Sequence, residues 1–208
     1  MPTRRQMLLA ATATAFAPRF ALAKAAQPST PVNFDVPPGA CDCHTHIHGD
    51  MREFPMFAGR VYTPEPALPE EMAQLHKALR MQRVVIVTPS IYGTDNSATL
   101  WGMKARGNEA RGVAVIDDKT TESELDAMGR AGIRGIRLNL ATGGSGNNAE
   151  AARKRFQGAA ERLKARGWHI QMYVTLDVIR AIKDAVLASP VPVVFDHFGR
   201  AQAALGVE

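Results

Sequence analysis

The sequence predicts an α/β fold of the eight-stranded TIM (β/α)8-barrel type, with the chain ending after the sixth strand. From Ala40 onward, short apolar or β-branched runs alternate with longer helical patterns. Strands separated by helices imply right-handed crossovers and therefore a parallel sheet. Polar residues recur at the ends of five of the six predicted strands, where barrel active sites are assembled. We therefore favour a barrel over an open doubly wound sheet.

The predicted strands cover 40–47, 83–88, 112–117, 133–139, 169–174 and 191–197. The predicted helices lie between them, at about 68–80, 97–107, 121–131, 148–166 and 176–188. Glycines fall at three of the predicted helix ends, where a helix often requires one: Gly107, Gly132 and Gly167. A closed barrel of this type has eight strands in about 250 residues. The 208 residues therefore predict a barrel domain at 40–208 that is incomplete at its C-terminus.

The first 26 residues are typical of an export signal. Arg4 and Arg5 precede an apolar run at 7–17 that is too short to span a bilayer, and small residues follow at 21–25. The string at 3–8 is similar to the twin-arginine export motif. We expect an exported, periplasmic protein with no stable membrane anchor after cleavage, and an uncleaved amphipathic anchor is the alternative. A proline-rich linker is predicted at 27–39.

The net charge of +5 does not indicate a nucleic-acid-binding protein. Four of the 25 basic residues precede Asp35, the first acidic residue, and the other 21 are balanced by 20 acidic ones. Nucleic-acid binding requires clustered Lys and Arg with aromatic partners, whereas the cluster at 153–155 lies in a predicted helix. Two cysteines argue against a disulfide framework. The pattern leaves the oligomeric state undetermined.

Two histidines on one strand give the strongest chemical signal. Side chains alternate between the faces of a strand, so Asp42, His44 and His46 are predicted to share one face. The same alternation places Cys41 and Cys43 on the other face, packed beneath the helices. Burying two imidazoles on an apolar strand costs free energy, so a functional role is favoured. Such a pair can bind a metal or polarise a substrate oxygen. His48 is predicted to lie past the strand, exposed to solvent.

Five strings occur in an order that resembles the lactonase branch of the amidohydrolase superfamily. They are HTH at 44–46, TPSIYGTDN at 88–96, GIRLN at 135–139, QMY at 171–173 and DHFG at 196–199. That branch includes 2-pyrone-4,6-dicarboxylate lactonases and sugar-acid lactonases, and the similarity runs from about residue 38 to residue 200. The resemblance implies a hydrolase that opens the lactone ring of a small carboxylated compound.

The resemblance also implies roles for individual residues. Four are expected to be catalytic by donating hydrogen bonds to the lactone carbonyl, and so stabilising its oxyanion: His44, His46, His197 and Tyr173. Four more are expected to bind substrate: Arg137, Ser90, Tyr62 and Asn139. The planar guanidinium of Arg137 suits a carboxylate. For Tyr62, a packing role is the alternative.

The sequence departs from that branch in two places. No cation occurs at 141–144, where the dicarboxylate lactonases have a further arginine, which favours a sugar-acid lactone or another acid. The aspartate that closes strand eight and serves as general base has no counterpart. Asp196 belongs to predicted strand six, where its side chain has the opposite parity to that of His197, so we expect it to have a structural hydrogen-bonding role. His76 and His169 are not candidates for the site.

The histidines are compatible both with a metal-dependent and with a metal-free hydrolase. We favour a metal-free site, because a lactone is an activated ester that a polarised carbonyl and an activated water can hydrolyse. One alternative is a zinc-dependent amidohydrolase or decarboxylase in which His44, His46 and His197 bind Zn²⁺. Another is a truncated fragment without catalytic activity.

Overall fold

The computed structural model describes residues 25–141 and 148–206. The sheet of this part of the chain has six parallel strands that pair in chain order and curl into a half-barrel. They are β1 (Cys41–Thr45), β2 (Arg83–Val87), β3 (Ala110–Ala114), β4 (Ile133–Asn139), β5 (His169–Tyr173) and β6 (Val193–Phe195). This confirms the predicted α/β barrel architecture. Most of the predicted export signal and most of the cation-free stretch after β4 lie outside the described residues.

The helices follow the strands as predicted, with small differences at their ends. They are α1 (Pro69–Ala78), α2 (Ser97–Arg106), α3 (Glu122–Arg130), α4 (Ala149–Leu163), α5 (Leu176–Ala181) and α6 (Lys183–Leu187). The helix predicted at 176–188 is two helices, because the backbone at Ile182 (φ −112°, ψ 15°) leaves the helical region. Strand β6 ends at Phe195, two residues earlier than predicted, and β3 begins two residues earlier.

Local sequence explains where the longer helices begin. At the start of α3, the Thr121 hydroxyl accepts a hydrogen bond from the Glu124 amide, and the Glu124 carboxylate accepts one from the Thr121 amide. This reciprocal capping satisfies backbone donors that a helix start leaves unpaired. Asn148 caps α4 by accepting from the Ala151 amide. Helix α2 ends at Gly107, whose positive φ of 60° few other residues adopt without strain.

The hydrophobic core lies between the strands and the helices. Strand residues such as Ile86, Ile136 and Ile170 are fully buried, and they belong to one cluster with helix residues such as Leu125 and Phe156. The tight approach of α2 to the sheet requires a glycine, because a Cβ on Gly102 would lie 2.6 Å from Ile47. The core therefore fills the space between the sheet and the helices. The polar residues at the carboxyl ends of the strands do not belong to it and are available to form a site.

The segment predicted as a linker has no helix or strand over residues 25–39. It is nevertheless attached to the domain through hydrogen bonds. The Ala25 amide donates to the Glu71 carboxylate over 2.8 Å, and Arg80 donates to the Val32 carbonyl over 3.1 Å. No helix of the described residues has the length and apolar character needed to cross a membrane.

A buried polar network joins the ends of β2 and β3. The Asn96 side chain donates to the Val115 carbonyl over 2.9 Å and accepts from the Val115 amide over 2.8 Å. Its carbonyl oxygen also accepts from the Thr88 hydroxyl, whose oxygen lies 2.8 Å from that of Thr99. Thr88 and Asn96 of this network belong to the string at 88–96, so part of that string builds the scaffold.

Replacing Asn96 with alanine is expected to lower the free energy of unfolding by about 3 kcal/mol, because each buried backbone group left without a partner costs about 1–3 kcal/mol. Urea unfolding measures the change. The matched control is Asn108→Ala at an exposed position, where a loss within about 0.5 kcal/mol is expected. Equal losses in the two variants would contradict the role of this network.

Candidate active site

A buried carboxylate, Asp196, connects three strands of the sheet. Its Oδ2 atom accepts from Arg137 of β4, with Nε at 2.8 Å and Nη2 at 2.7 Å. Its Oδ1 atom accepts from the Gln171 amide of β5 over 2.5 Å and lies 3.5 Å from His44 Nδ1 of β1. Arg137, Gln171 and Asp196 are each at most 4% exposed. Asp196 therefore holds polar groups from separate strands at one position.

The four predicted catalytic residues lie in one cluster next to this carboxylate. The ring centroid of His44 is 5.0 Å from that of His46 and 5.2 Å from that of His197. The rings of His197 and Tyr173 meet edge to face, with centroids 5.6 Å apart. The Nε2 atom of His44 is buried and has no hydrogen-bond partner among the described residues. The structure thus brings the four side chains together, and their catalytic roles stay predictions.

Strand β1 does not follow simple alternation, so the prediction for Asp42 was wrong. The pairing of β1 with β2 shifts between Asp42 and Thr45, which is an irregularity of the bulge type. Asp42 Oδ2 lies 3.0 Å from Nε2 of His76, a fully buried residue of α1, whereas His44 contacts Gln171 and Asp196. Asp42 and His44 therefore have different partners on different elements.

The packing predicted for the two cysteines was also wrong. Cys43 is exposed and Cys41 is partly buried, so the pair does not lie beneath the helices. Both cysteines belong to the irregular strand β1. In this strand it is the Asp42 side chain that contacts the helix side, through His76. Neither thiol is joined to the histidine cluster by a described hydrogen bond.

His48 is partly buried, contrary to the prediction that solvent surrounds it. Its amide and carbonyl pair with Ala67 over 3.0 and 2.8 Å, which folds the following loop back over the end of β1. Its ring stacks near that of His46, with centroids 6.1 Å apart. His46 in turn has Nδ1 2.7 Å from the Val87 carbonyl oxygen of β2. The loop therefore covers one side of the cluster.

A left-handed turn places His197 after β6. His197, Phe198, Gly199 and Arg200 all have φ between 51° and 64°, a conformation that is uncommon for residues other than glycine. Strand alternation stops here, so His197 and Asp196 both reach the cluster although strand parity predicted opposite directions. The turn also directs the Arg200 guanidinium over the Tyr173 ring, 5.3 Å from its centroid. The Arg137 guanidinium lies 5.0 Å from the same centroid.

Burial keeps His44, His46 and His48 mainly in the neutral form. Burial, with smaller contributions from Arg137 and His197, lowers the pKa of His44, although Asp196 opposes the shift. Burial lowers the pKa of His46 to about 4 and also lowers that of His48. Burial raises the pKa of Asp42, but hydrogen bonds with His76 and the His44 amide outweigh it, so the net pKa is lowered. Near pH 7 these three imidazoles are therefore mainly uncharged, and a neutral imidazole has one hydrogen to donate.

The predicted substrate-binding residues are divided between several places. Ser90 and Asn139 line a cavity of about 740 Å³ at the ends of β2, β3 and β4, whose lining does not include the histidines. Tyr62 lies in the loop after β1 and is 45% exposed, and no described hydrogen bond or ring contact joins it to the cluster. Arg137 is in the cluster, but its guanidinium is already paired with Asp196. Their roles in substrate binding stay predictions.

Three residues offer atoms close enough together for a metal ion: His44, Asp196 and His197, within 4.8 Å of one another. The expected alternative set had His46 in place of Asp196. The residues present fit a cation poorly, because both oxygens of Asp196 and Nδ1 of His44 already take part in hydrogen bonds. A cation there would also lie beside the Arg137 guanidinium, which is 2.7 Å from Asp196.

Two residues of the site have no role in the sequence prediction. Gln171 is central to the network around Asp196. Its spacing of two residues from Tyr173 puts both side chains on one face of β5, and this spacing could have indicated Gln171 as a site residue. Arg200 follows the string at 196–199, but only the left-handed turn brings it to Tyr173. His76, dismissed as a site residue, lies outside the cluster and contacts it through Asp42.

Comparison with known proteins gives a consistent family signal. A family model described as amidohydrolase matches residues 41–207. The chain is 34% identical over 184 residues to a 2-pyrone-4,6-dicarboxylate hydrolase of Comamonas testosteroni, covering 88% of this chain and 59% of that protein. It is 31% identical over 180 residues to a 4-sulfomuconolactone hydrolase of Rhizobium radiobacter, covering 86% and 59% respectively. The chain thus spans 59% of the length of each of these relatives.

Solved structures show the same fold. A crystal structure of a protein from Agrobacterium tumefaciens superposes with a TM-score of 0.71 at 26% identity, covering 82% of this chain and 60% of that one. An amidohydrolase from Burkholderia multivorans with bound zinc superposes with a TM-score of 0.57 at 18% identity, covering 77% and 58% respectively. The second likeness concerns the fold alone.

The lowered pKa of His46 predicts that stability falls at acidic pH. Because the folded-state pKa of about 4 lies below the usual 6.5, the unfolded chain binds a proton first as the pH falls. Stability is therefore lost between about pH 6.5 and pH 4, by about 3 kcal/mol for this group. Urea unfolding of chelator-treated protein at pH 7.5 and pH 4.5 tests this. His46→Asn, which keeps a donor for Val87, is expected to lose about 2 kcal/mol less than the wild type over this range, and identical losses would exclude His46 as a source.

Proposed function

Because the chain belongs to the amidohydrolase family, we propose that the protein hydrolyses the lactone ring of a small carboxylated compound. The observation that carries the proposal is the grouping of the His44, His197 and Tyr173 rings, together with the buried Nε2 atom of His44, which has no hydrogen-bond partner among the described residues. The names of the two sequence relatives support the same reaction class. The substrate group that fits this cluster is a carbonyl oxygen that gains negative charge during the reaction.

The reaction needs a polarised carbonyl and an attacking water. Water adds to the carbonyl carbon, the ring C–O bond breaks, and a proton from the water ends on the released hydroxyl. Hydrogen bonds from the His44 imidazole, the His197 imidazole and the Tyr173 phenol stabilise the developing oxyanion more strongly than the ground-state carbonyl. Both oxygens of Asp196 already accept hydrogen bonds, one from Arg137 and the other from Gln171, so this carboxylate is not assigned the activation of the water.

The acid group of the substrate needs a cation that is not already paired. Arg137 is engaged by Asp196, whereas Arg200 forms no ion pair with a carboxylate of the described residues. The Arg200 guanidinium lies over Tyr173 at the entrance of the cluster and is exposed. We therefore propose that Arg200 binds the substrate carboxylate, in addition to the predicted role of Arg137.

A zinc-dependent amidohydrolase or decarboxylase is the second candidate. It is favoured by the grouping of His44, Asp196 and His197 within 4.8 Å. Assays with added zinc and with a chelator separate the two candidates. Activity that appears only with zinc, on amides or carboxylic acids rather than lactones, would support the second candidate and exclude the first.

Carbonyl polarisation can be tested without the water-activating group. Hydroxylamine is a strong neutral nucleophile that opens a lactone to a hydroxamate without a general base. We expect the chain to accelerate this reaction with 2-pyrone-4,6-dicarboxylate or 4-sulfomuconolactone. His44→Asn is expected to lower kcat/KM by about 100-fold, the usual loss for one oxyanion donor. Lys104→Ala on the exposed side of α2 serves as control, and no acceleration by the wild type would overturn the proposal.

Substrate recognition by Arg200 predicts a separate kinetic change. Arg200→Gln is expected to raise KM for carboxylated lactones about tenfold or more with little change in kcat, because a charge-assisted hydrogen bond is lost. The matched control is Arg134→Gln. Arg134 is exposed and is the second residue of β4, at the end of the strand opposite to the site. An unchanged KM in Arg200→Gln would assign the substrate carboxylate to another residue.

A further inference from the structure

Gln171 has a position that its residue type alone does not explain. It lies in the middle of β5, is 3% exposed, and has polar neighbours on β1, on β4 and directly after β6. Its amide nitrogen is 2.5 Å from Asp196 Oδ1 and 2.9 Å from His44 Nδ1. One side-chain NH₂ group therefore bridges a carboxylate and an imidazole.

The chemistry of Asp196 fixes the orientation of this amide. Two donors of Arg137 contact Oδ2, which stabilises the carboxylate in its ionised form. An ionised carboxylate only accepts hydrogen bonds, so the Gln171 group facing it must be NH₂ and not the carbonyl oxygen. One hydrogen of that NH₂ is used by Asp196, and the other points to His44 Nδ1.

The second hydrogen determines the tautomer of His44. When Nδ1 accepts from Gln171, the single proton of the neutral imidazole must be on Nε2. Nε2 is the buried atom without a partner among the described residues, in the ring that contacts His46 and His197. His44 therefore presents an N–H donor to whatever fills the space between these rings.

His46 has the opposite arrangement. Its Nδ1 atom lies 2.7 Å from the Val87 carbonyl oxygen, which can only accept, so the proton is on Nδ1. The lone pair of its Nε2 atom is then available. Two histidines separated by one residue are thus held in different tautomers by different partners.

Gln171 is the residue that decides between the two forms of His44. Asp196 Oδ1 lies 3.5 Å from His44 Nδ1, so without the amide it is the nearest acceptor for a proton on Nδ1. That tautomer would place the lone pair of Nε2 toward the substrate, which suits a metal ligand and not an oxyanion donor. The Gln171 amide excludes the tautomer with the proton on Nδ1, because it donates to both His44 Nδ1 and Asp196 Oδ1.

The geometry points to Gln171 as a positioning residue that makes His44 a hydrogen-bond donor to the substrate carbonyl and prevents it from acting as a metal ligand. This deepens the proposed lactone hydrolysis and rests on it for the identity of the substrate group. The tautomer itself is a property of the protein without substrate, so it can be tested separately.

The first test measures the tautomers directly. In protein carrying ¹⁵N-labelled histidine, the chemical shifts of the two ring nitrogens distinguish a protonated nitrogen from an unprotonated one. His44→Asn and His46→Asn assign the signals. We expect the proton on Nε2 of His44 and on Nδ1 of His46 near pH 7.5. A wild-type His44 with its proton on Nδ1 would overturn the inference, whether or not the protein opens lactones.

The second test removes the amide in two ways. Gln171→Leu has no donor, and Gln171→Glu keeps the shape but presents a group that accepts when ionised. In both variants the His44 proton is expected on Nδ1, and kcat for hydroxylaminolysis is expected to fall about 100-fold. The His46 signals are the internal control, because Val87 is unchanged. A variant that retains the wild-type His44 tautomer with unchanged kcat would show that Gln171 is not the determinant.

Zinc binding gives an independent readout. Titration with zinc chloride is expected to show affinity at least about tenfold higher in Gln171→Leu than in the wild type, the usual size of an effect from a residue that orients a ligand. The inference would be overturned if the wild type bound one equivalent of zinc through His44 more tightly than the variant does. If the tautomers and zinc affinities agree with expectation but no lactone is opened, only the proposed function fails.

Discussion

The site depends on the buried contact between Arg137 and Asp196. Removing two charges from water is costly, and breaking such a pair by deleting one partner typically destabilises a protein by about 3–5 kcal/mol. The pair joins β4 to β6, and the Gln171 amide from the intervening β5 completes the link. This one carboxylate therefore fixes the relative position of three strands at the level where the histidines lie.

The other half of the site depends on β1. The pairing irregularity between Asp42 and Thr45 sends the Asp42 side chain to His76 on α1 and the His44 ring to Gln171. The buried Asp42–His76 contact thus attaches the histidine-bearing strand to a helix, while the next polar side chain is available for chemistry. Close packing below the site is achieved by Gly135, where a Cβ would lie 2.4 Å from the His169 ring. The polar layer above it, Arg137 with Gln171, rests on this contact.

The general plan of the molecule could be predicted from sequence because it follows from patterns that repeat. Alternation of apolar runs with helical segments predicted the parallel strands, and the resemblance to the lactonase branch supplied the four residues of the cluster, His44, His46, Tyr173 and His197. The errors came from single departures from regular backbone. One irregularity in β1 changed the neighbours of Asp42 and the cysteines. A left-handed turn after Asp196 ended the strand parity that had separated Asp196 from His197, and it brought Arg200 to Tyr173. The pairing of Arg137 with Asp196 joins residues 59 apart, and no local pattern indicates such a contact.

A carbonyl or carboxylate oxygen of the substrate is expected to be held by the cluster around His44. A crystal structure of the protein with the ring-opened product of a carboxylated lactone tests it most directly. A product oxygen is expected within hydrogen-bond distance of His44 Nε2 and of the Tyr173 hydroxyl, with the Arg137–Asp196 pair intact. Product bound only in the cavity lined by Ser90 and Asn139, without contact to the histidines, would contradict it.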